Sequence, residues 1–168
     1  LDFMACDLEH PTRLTAVVSQ FDLVCHLAGP YKYTYEPMLK ACLQAGTHYL
    51  DISGELSVLQ AMRSFDRRAR EQEVAVIPAC GFVAVSTDCS ALYASGLISN
   101  PKQLETAAAT DAGPSAGTVI TMLEHLSEGL LVRKDHRLAP VQLGQGGREI
   151  VFNDHKRAVI PTPQADLI

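Results

Sequence analysis

No run of apolar residues in this 168-residue sequence approaches the roughly 20 needed to span a bilayer; the stretches are short, as in Val74 to Ala79. Cations are few and scattered. The 14 Lys and Arg stand against 19 Asp and Glu, a formal net charge of -5, with no basic cluster to displace counterions from a nucleic acid. Neither a membrane anchor nor a nucleic-acid partner is expected. The five cysteines, Cys6, Cys25, Cys42, Cys80 and Cys89, form no C-x-x-C pair and cannot all pair within one chain. They read as the reduced thiols of an intracellular protein, with the cytoplasm the expected compartment. The six histidines lack metal-ligand spacing, so no metal is assigned. Ser53 and Ser86 lack the G-x-S-x-G context of a hydrolase elbow. The sequence starts at Leu1 with no signal-peptide pattern, and reads as a processed, cloned or truncated segment.

What is present is alternation. Residues 21–27 (FDLVCHL) form a short apolar run ending in Ala28-Gly29-Pro30, the pattern of a buried strand entering a turn. Pro37 suits a helix's first turn, Met38, Leu39, Cys42 and Leu43 recur at helical spacing, and Gly46 stands at the stop position, giving a helix of about ten residues. A strand over 48–52, an amphipathic helix carrying Val58, Leu59, Met62, Phe65 and Ala69, and an aliphatic strand over 74–77 come next. A short helix over 11–19 and a leading strand over 1–6 precede them. Strands alternating with helices imply right-handed crossovers and a doubly wound parallel sheet. Beyond Gly81 the pattern loosens. It suggests a helix capped by Thr87, a strand over 103–110, a loop over 112–118, a helical stripe of Val119, Met122, Leu123, Leu126 and Leu130, and a strand over 149–152. The expected division is residues 1–82 and 83–168.

Ligands of open parallel sheets bind beyond the carboxyl ends of the strands, which singles out three clusters. Ala28-Gly29-Pro30-Tyr31 is either a tight turn or a place where backbone approaches a ligand and Tyr31 stacks or donates a hydrogen bond. Asp51-Ile52-Ser53-Gly54-Glu55 sets two carboxylates around a flexible turn, or simply brings acidic charge to a helix N-terminus. Pro78-Ala79-Cys80-Gly81-Phe82 presents a thiol that is either structural or reactive. Asp7 either accepts hydrogen bonds from adenine or ribose or forms a turn beside Pro11. Tyr31, Glu55 and Cys80 are the catalytic candidates, by location alone.

Leu27-Ala28-Gly29-Pro30-Tyr31, Glu36-Pro37, the run from Ala45 to Glu55, and Ile77 to Phe82 with Asp88 strongly resemble the saccharopine dehydrogenase-like oxidoreductases. The resemblance implies a Rossmann domain binding NAD or NADP, followed by an α/β (α+β) domain for substrate and subunit contacts. On that footing the chain is the second half of a doubly wound (Rossmann-type) parallel sheet followed by part of a second domain. A small-molecule substrate and a homodimer are the partners it admits. It implies cofactor contacts from Asp7 near adenine, from Ala28, Gly29, Pro30 and Tyr31 along the ribose and nicotinamide, and from Ser53, Gly54, Gly81 and Phe82 near the nicotinamide and substrate.

The chain departs from the family at two places. Val83 to Thr87 replaces a turn usually carrying Asp, Ser and Pro, and Pro161-Thr162-Pro163-Gln164 stands where relatives tend to carry Trp-Gly-Asp. No G-x-G-x-x-G loop is present, so the pyrophosphate cradle is expected outside this chain, which alone would be inactive. Loss of the central first strand would leave residues 21–27 as an exposed apolar edge and the segment poorly behaved. The alternatives are a non-catalytic Rossmann-type binding or scaffolding protein, and a thiol enzyme using Cys80.

Overall fold

The computed structural model describes residues 3–109, 130–142, 145–153 and 155–162, together with residues 113, 116, 119, 120 and 123. Expectations that fall on residues 1–2, 110, 112, 114–115, 117–118, 122, 126 and 163–164 lie outside it. The chain divides into two compact units, Leu1–Gly81 and Phe82–Ile168.

In the first unit, helix α1 (Pro11–Val18) leads into strand β1 (Leu23–His26), then α2 (Tyr31–Ala45), β2 (His48–Asp51), α3 (Leu56–Met62), a 3-10 turn (Arg63–Phe65), α4 (Asp66–Glu71) and β3 (Val76–Ile77). The three strands form one parallel sheet in the order β1-β2-β3, with Leu23 opposite His48 and Tyr49 opposite Val76. This is a Rossmann-type α/β arrangement. The core gathers Leu14 and Val18 of α1, Leu39, Cys42 and Leu43 of α2, and Tyr49 of β2. Thr47, buried before β2, donates its hydroxyl to the carbonyls of Val18 and Phe21 and so ties α1's exit to β1's entry. Along β1 and its flanks the alternate residues Phe21, Leu23, Cys25 and Leu27, which share one face, are all exposed.

Three expectations for this unit change. Residues 3–7 pair with no strand; Phe3 and Met4 are exposed, and the segment is held by Arg13, whose guanidinium donates to the Ala5 carbonyl at 3.2 Å. The sequence contained strand residues there but no ladder partner. Helix α2 starts six residues before Pro37, because its first amides find a cap far along the chain, at Glu55. The single helix expected over 58–69 is broken by the 3-10 turn into α3 and α4.

The second unit opens with α5 (Phe82–Gly96) and contains two antiparallel hairpins, β4 (Leu130–Lys134) with β5 (Arg137–Val141), and β6 (Arg148–Phe152) with β7 (His155–Val159). Thr87 does not cap α5, which begins five residues earlier; its buried hydroxyl bonds back to the Ala84 carbonyl. Residues 103–109 form no strand and are exposed, with Glu105 paired instead to Arg148. The stripe ending at Leu130 is also interrupted, since Leu130 begins β4. Both hairpins turn on non-glycine residues at positive φ, Asp135 and His136 in one and Asn153 in the other. Two-residue loops of that hand match strand twist, and Asp and Asn tolerate the left-handed region better than most residues. No described helix is long and apolar enough to cross a membrane.

Gly46 ends α2 at φ +72 with its amide on the Cys42 carbonyl, and open space surrounds it. A β-carbon there meets no neighbour and only strains the backbone. Gly46→Ala is expected to cost about 1 kcal/mol in urea denaturation, with no change in the m-value.

Candidate functional site

Parallel strands place their carboxyl ends side by side, so the turns after β1, β2 and β3 converge on one end of the sheet. Asp51, the last residue of β2, is completely buried. Its Oδ1 accepts the Ser53 amide at 2.9 Å, the Ser53 hydroxyl at 2.7 Å and the Ala79 amide at 2.9 Å, while Oδ2 accepts the Tyr49 phenol at 2.7 Å. The Asp51 carbonyl accepts the Cys80 amide at 2.7 Å. A carboxylate so enclosed replaces its lost hydration with four donors from three places in the chain. Burial beside that carboxylate pushes the Tyr49 phenol well above its ordinary range.

Glu55 makes the second connection. It precedes α3 without capping it. Instead its buried carboxylate reaches the start of α2, where Oε1 accepts the Tyr31 amide at 2.8 Å and Oε2 the Lys32 amide at 2.7 Å. The expectation of acidic charge at a helix N-terminus is met in kind, on a helix 24 residues upstream rather than on its neighbour α3. The Ala28–Tyr31 turn and the Ser53–Glu55 turn are thereby locked together.

Tyr31 has its ring buried edge-on against His26, and its hydroxyl donates to the His26 carbonyl at 3.3 Å. It stacks and donates inside the protein. His26 is buried, with Nε2 3.0 Å from the Thr34 hydroxyl, which itself donates to the Ala28 carbonyl at 2.6 Å. With the threonine proton committed, the imidazole is the donor in that pair and carries its hydrogen on Nε2. Burial holds His26 below its ordinary pKa, against an opposing pull from Asp51.

Of the other sequence candidates, Ala28 and Gly29 are exposed above β1, Pro30 follows a cis bond, and Ser53, Gly54 and Gly81 lie in the turns joined by Asp51. Cys80 is half-buried and directs its thiol to the Ile77 carbonyl. Asp7 lies in the turn before α1, where Oδ1 accepts the Glu9 amide at 2.9 Å. Phe82 begins α5 in the second unit with its ring 85% exposed. Asp51 stood in the second cluster without an assigned catalytic or cofactor-binding role, and His26 stood in none. The signal for Asp51 was the Asp-x-Ser-Gly order at a strand end, an Asx-turn pattern; for His26 there was none beyond its place at a strand end. Among the described residues no group of His, Cys, Asp or Glu is arranged to hold a metal ion.

Removing the Glu55 carboxylate leaves the first amides of α2 without their charged partner. Glu55→Ala is expected to cost about 2 kcal/mol in chemical denaturation and Glu55→Gln roughly half of that, with the largest amide shifts at Tyr31 and Lys32. His26 generates a pH effect. Its folded pKa lies below the unfolded one, so the unfolded chain takes up a proton first as pH falls, and stability drops as pH falls through the unfolded value of about 6.5. His26→Gln should flatten that part of the melting-temperature profile.

Residues 1–77 match the family model of the saccharopine dehydrogenase NADP binding domain. The chain is similar to the saccharopine dehydrogenase-like oxidoreductase of Mus musculus, 36% identical over 89 residues, and to those of Bos taurus, 35%, and Homo sapiens, 33%, over the same length. The matched stretch is 52% of this chain and 21% of each relative, so it spans about a fifth of their length. Over residues 1–77 the chain is therefore similar to the saccharopine dehydrogenase NADP binding domain family.

Proposed function

We propose that the first unit contributes the nicotinamide side of a dinucleotide site in an NAD(P)-dependent oxidoreductase, with Ala28 to Tyr31, Ser53, Gly54 and Gly81 bordering the ligand. The observation that carries this reading is the joining of all three strand-end turns through Asp51 and Glu55. It builds one fixed surface where parallel sheets bind ligands.

The residues fit that part of the dinucleotide in particular. A free helix N-terminus attracts phosphate, but here the first amides of α2 are already bonded to a carboxylate. The turn therefore suits an uncharged ribose or the nicotinamide rather than the pyrophosphate. Ala28 and Gly29, small and exposed, leave the backbone open to close approach. The cofactor, when bound, supplies the hydride; the chain's own residues orient it.

The second reading, a binding protein without turnover, is favoured by one observation: Tyr31 and Glu55 are both engaged in internal hydrogen bonds. In either reading they shape the site and do not exchange protons with a substrate.

Titration of NADPH and NADH, each to millimolar concentration, into isotope-labelled protein tests the proposal. Saturable shifts of the Gly29, Tyr31, Ser53 and Gly81 amides are expected, and the stronger ligand identifies the preferred cofactor. Shifts confined to other residues, or none in a demonstrably folded protein, would remove the assignment.

A further inference from the structure

Ala79 has φ +59, in the left-handed region that residues with a β-carbon avoid. It lies in the turn after β3, where its amide donates to the Asp51 carboxylate and the next amide, that of Cys80, donates to the Asp51 carbonyl. Gly81 then passes so close to β2's exit that a β-carbon would lie 3.2 Å from the Ile52 carbonyl oxygen and 3.3 Å from its Cβ. Backbone held against its preference persists only where surrounding groups over-determine it. Here the determining groups belong to one residue.

We propose that Asp51 is a positioning residue that holds Ala79 in its left-handed conformation and so places Gly81 at the dinucleotide surface. The placement of the ligand rests on the dinucleotide reading of the strand-end turns; the hold on Ala79 does not. Asp51 is fully buried, and both its carboxylate oxygens are bonded within the protein, so it acts through the turn and not on a substrate. A second consequence concerns sequence. At residue 79 a glycine would adopt the same backbone freely, so dependence on Asp51 should weaken once Ala79 is replaced by glycine.

The test uses the full chain with Asp51→Ala, Asp51→Asn, Ala79→Gly and the Asp51→Ala/Ala79→Gly pair, read by amide hydrogen exchange without ligand and by NADPH titration. In Asp51→Ala the Ala79 and Cys80 amides should exchange about tenfold faster while Leu43 keeps its protection, and NADPH should bind about tenfold more weakly. Adding Ala79→Gly should restore about fivefold of that affinity, the cost of a left-handed non-glycine residue. Asp51→Asn, which keeps an acceptor oxygen but not the charge, should speed Ala79 exchange about threefold, and decides the matter if Asp51→Ala does not fold. Unchanged Ala79 exchange in the folded variants, or a binding loss that Ala79→Gly leaves untouched, overturns the proposal. Failure of the parent to bind NADPH removes the dinucleotide reading, and the exchange comparison still decides whether Asp51 holds the turn.

Discussion

A carboxylate taken out of water must find protein donors to replace its hydration, and in this chain that demand arises twice within five residues, at Asp51 and Glu55. Each meets it with at least one donor from a distant segment. Asp51 draws on Tyr49 in its own strand, on Ser53 just beyond it and on Ala79 after β3; Glu55 draws on the first amides of α2. Among the described residues no buried side-chain nitrogen or oxygen is left without a partner. A stretch of turn that on its own would be a flexible Ser-Gly loop is thus the joint between the three strand-end turns. The arrangement of the sheet's carboxyl end results from satisfying two charges.

That dependence explains what could and could not be seen in the sequence. The alternation of strands and helices from β1 to β3 was legible, because period and punctuation are local. Gly46 as a helix stop was legible for the same reason, as a residue suited to positive φ. The start of α2 was not. Pro37 looked like a first-turn residue, and only Glu55, far along the chain, supplies the cap that lets the helix begin at Tyr31. The residues just past each strand mark the turns correctly as places, but Tyr31 and Glu55 do not have the exposure that a linear reading assigns them. Their side chains face inward to meet buried needs that only the folded chain displays.

The second unit was harder to read for a different reason. β4, β5 and β7 carry Arg, Lys and His at close intervals, and their strands lack the aliphatic density of a covered parallel strand. Their turns use Asp135-His136 in one hairpin and Asn153 in the other in place of the Asn-Gly or Asp-Gly that announce a hairpin. Residues 103–109 show the converse. Their composition admits a strand, yet among the described residues they join no sheet and stay exposed. Strand formation is decided by partners.

The cap that Glu55 places on α2 also orders events in time. Closing it joins residues 23 and 24 positions apart, whereas the later turns of α2 need only contacts about four residues away. Closing a loop of that length costs entropy that local helix formation does not. The body of α2 can therefore form early, but its first turn must wait until β2 has laid down beside β1 and carried Glu55 into reach. Completion of that helix is thus a report on the assembly of the sheet, and the surface around Gly29 comes into being only when the unit as a whole has folded.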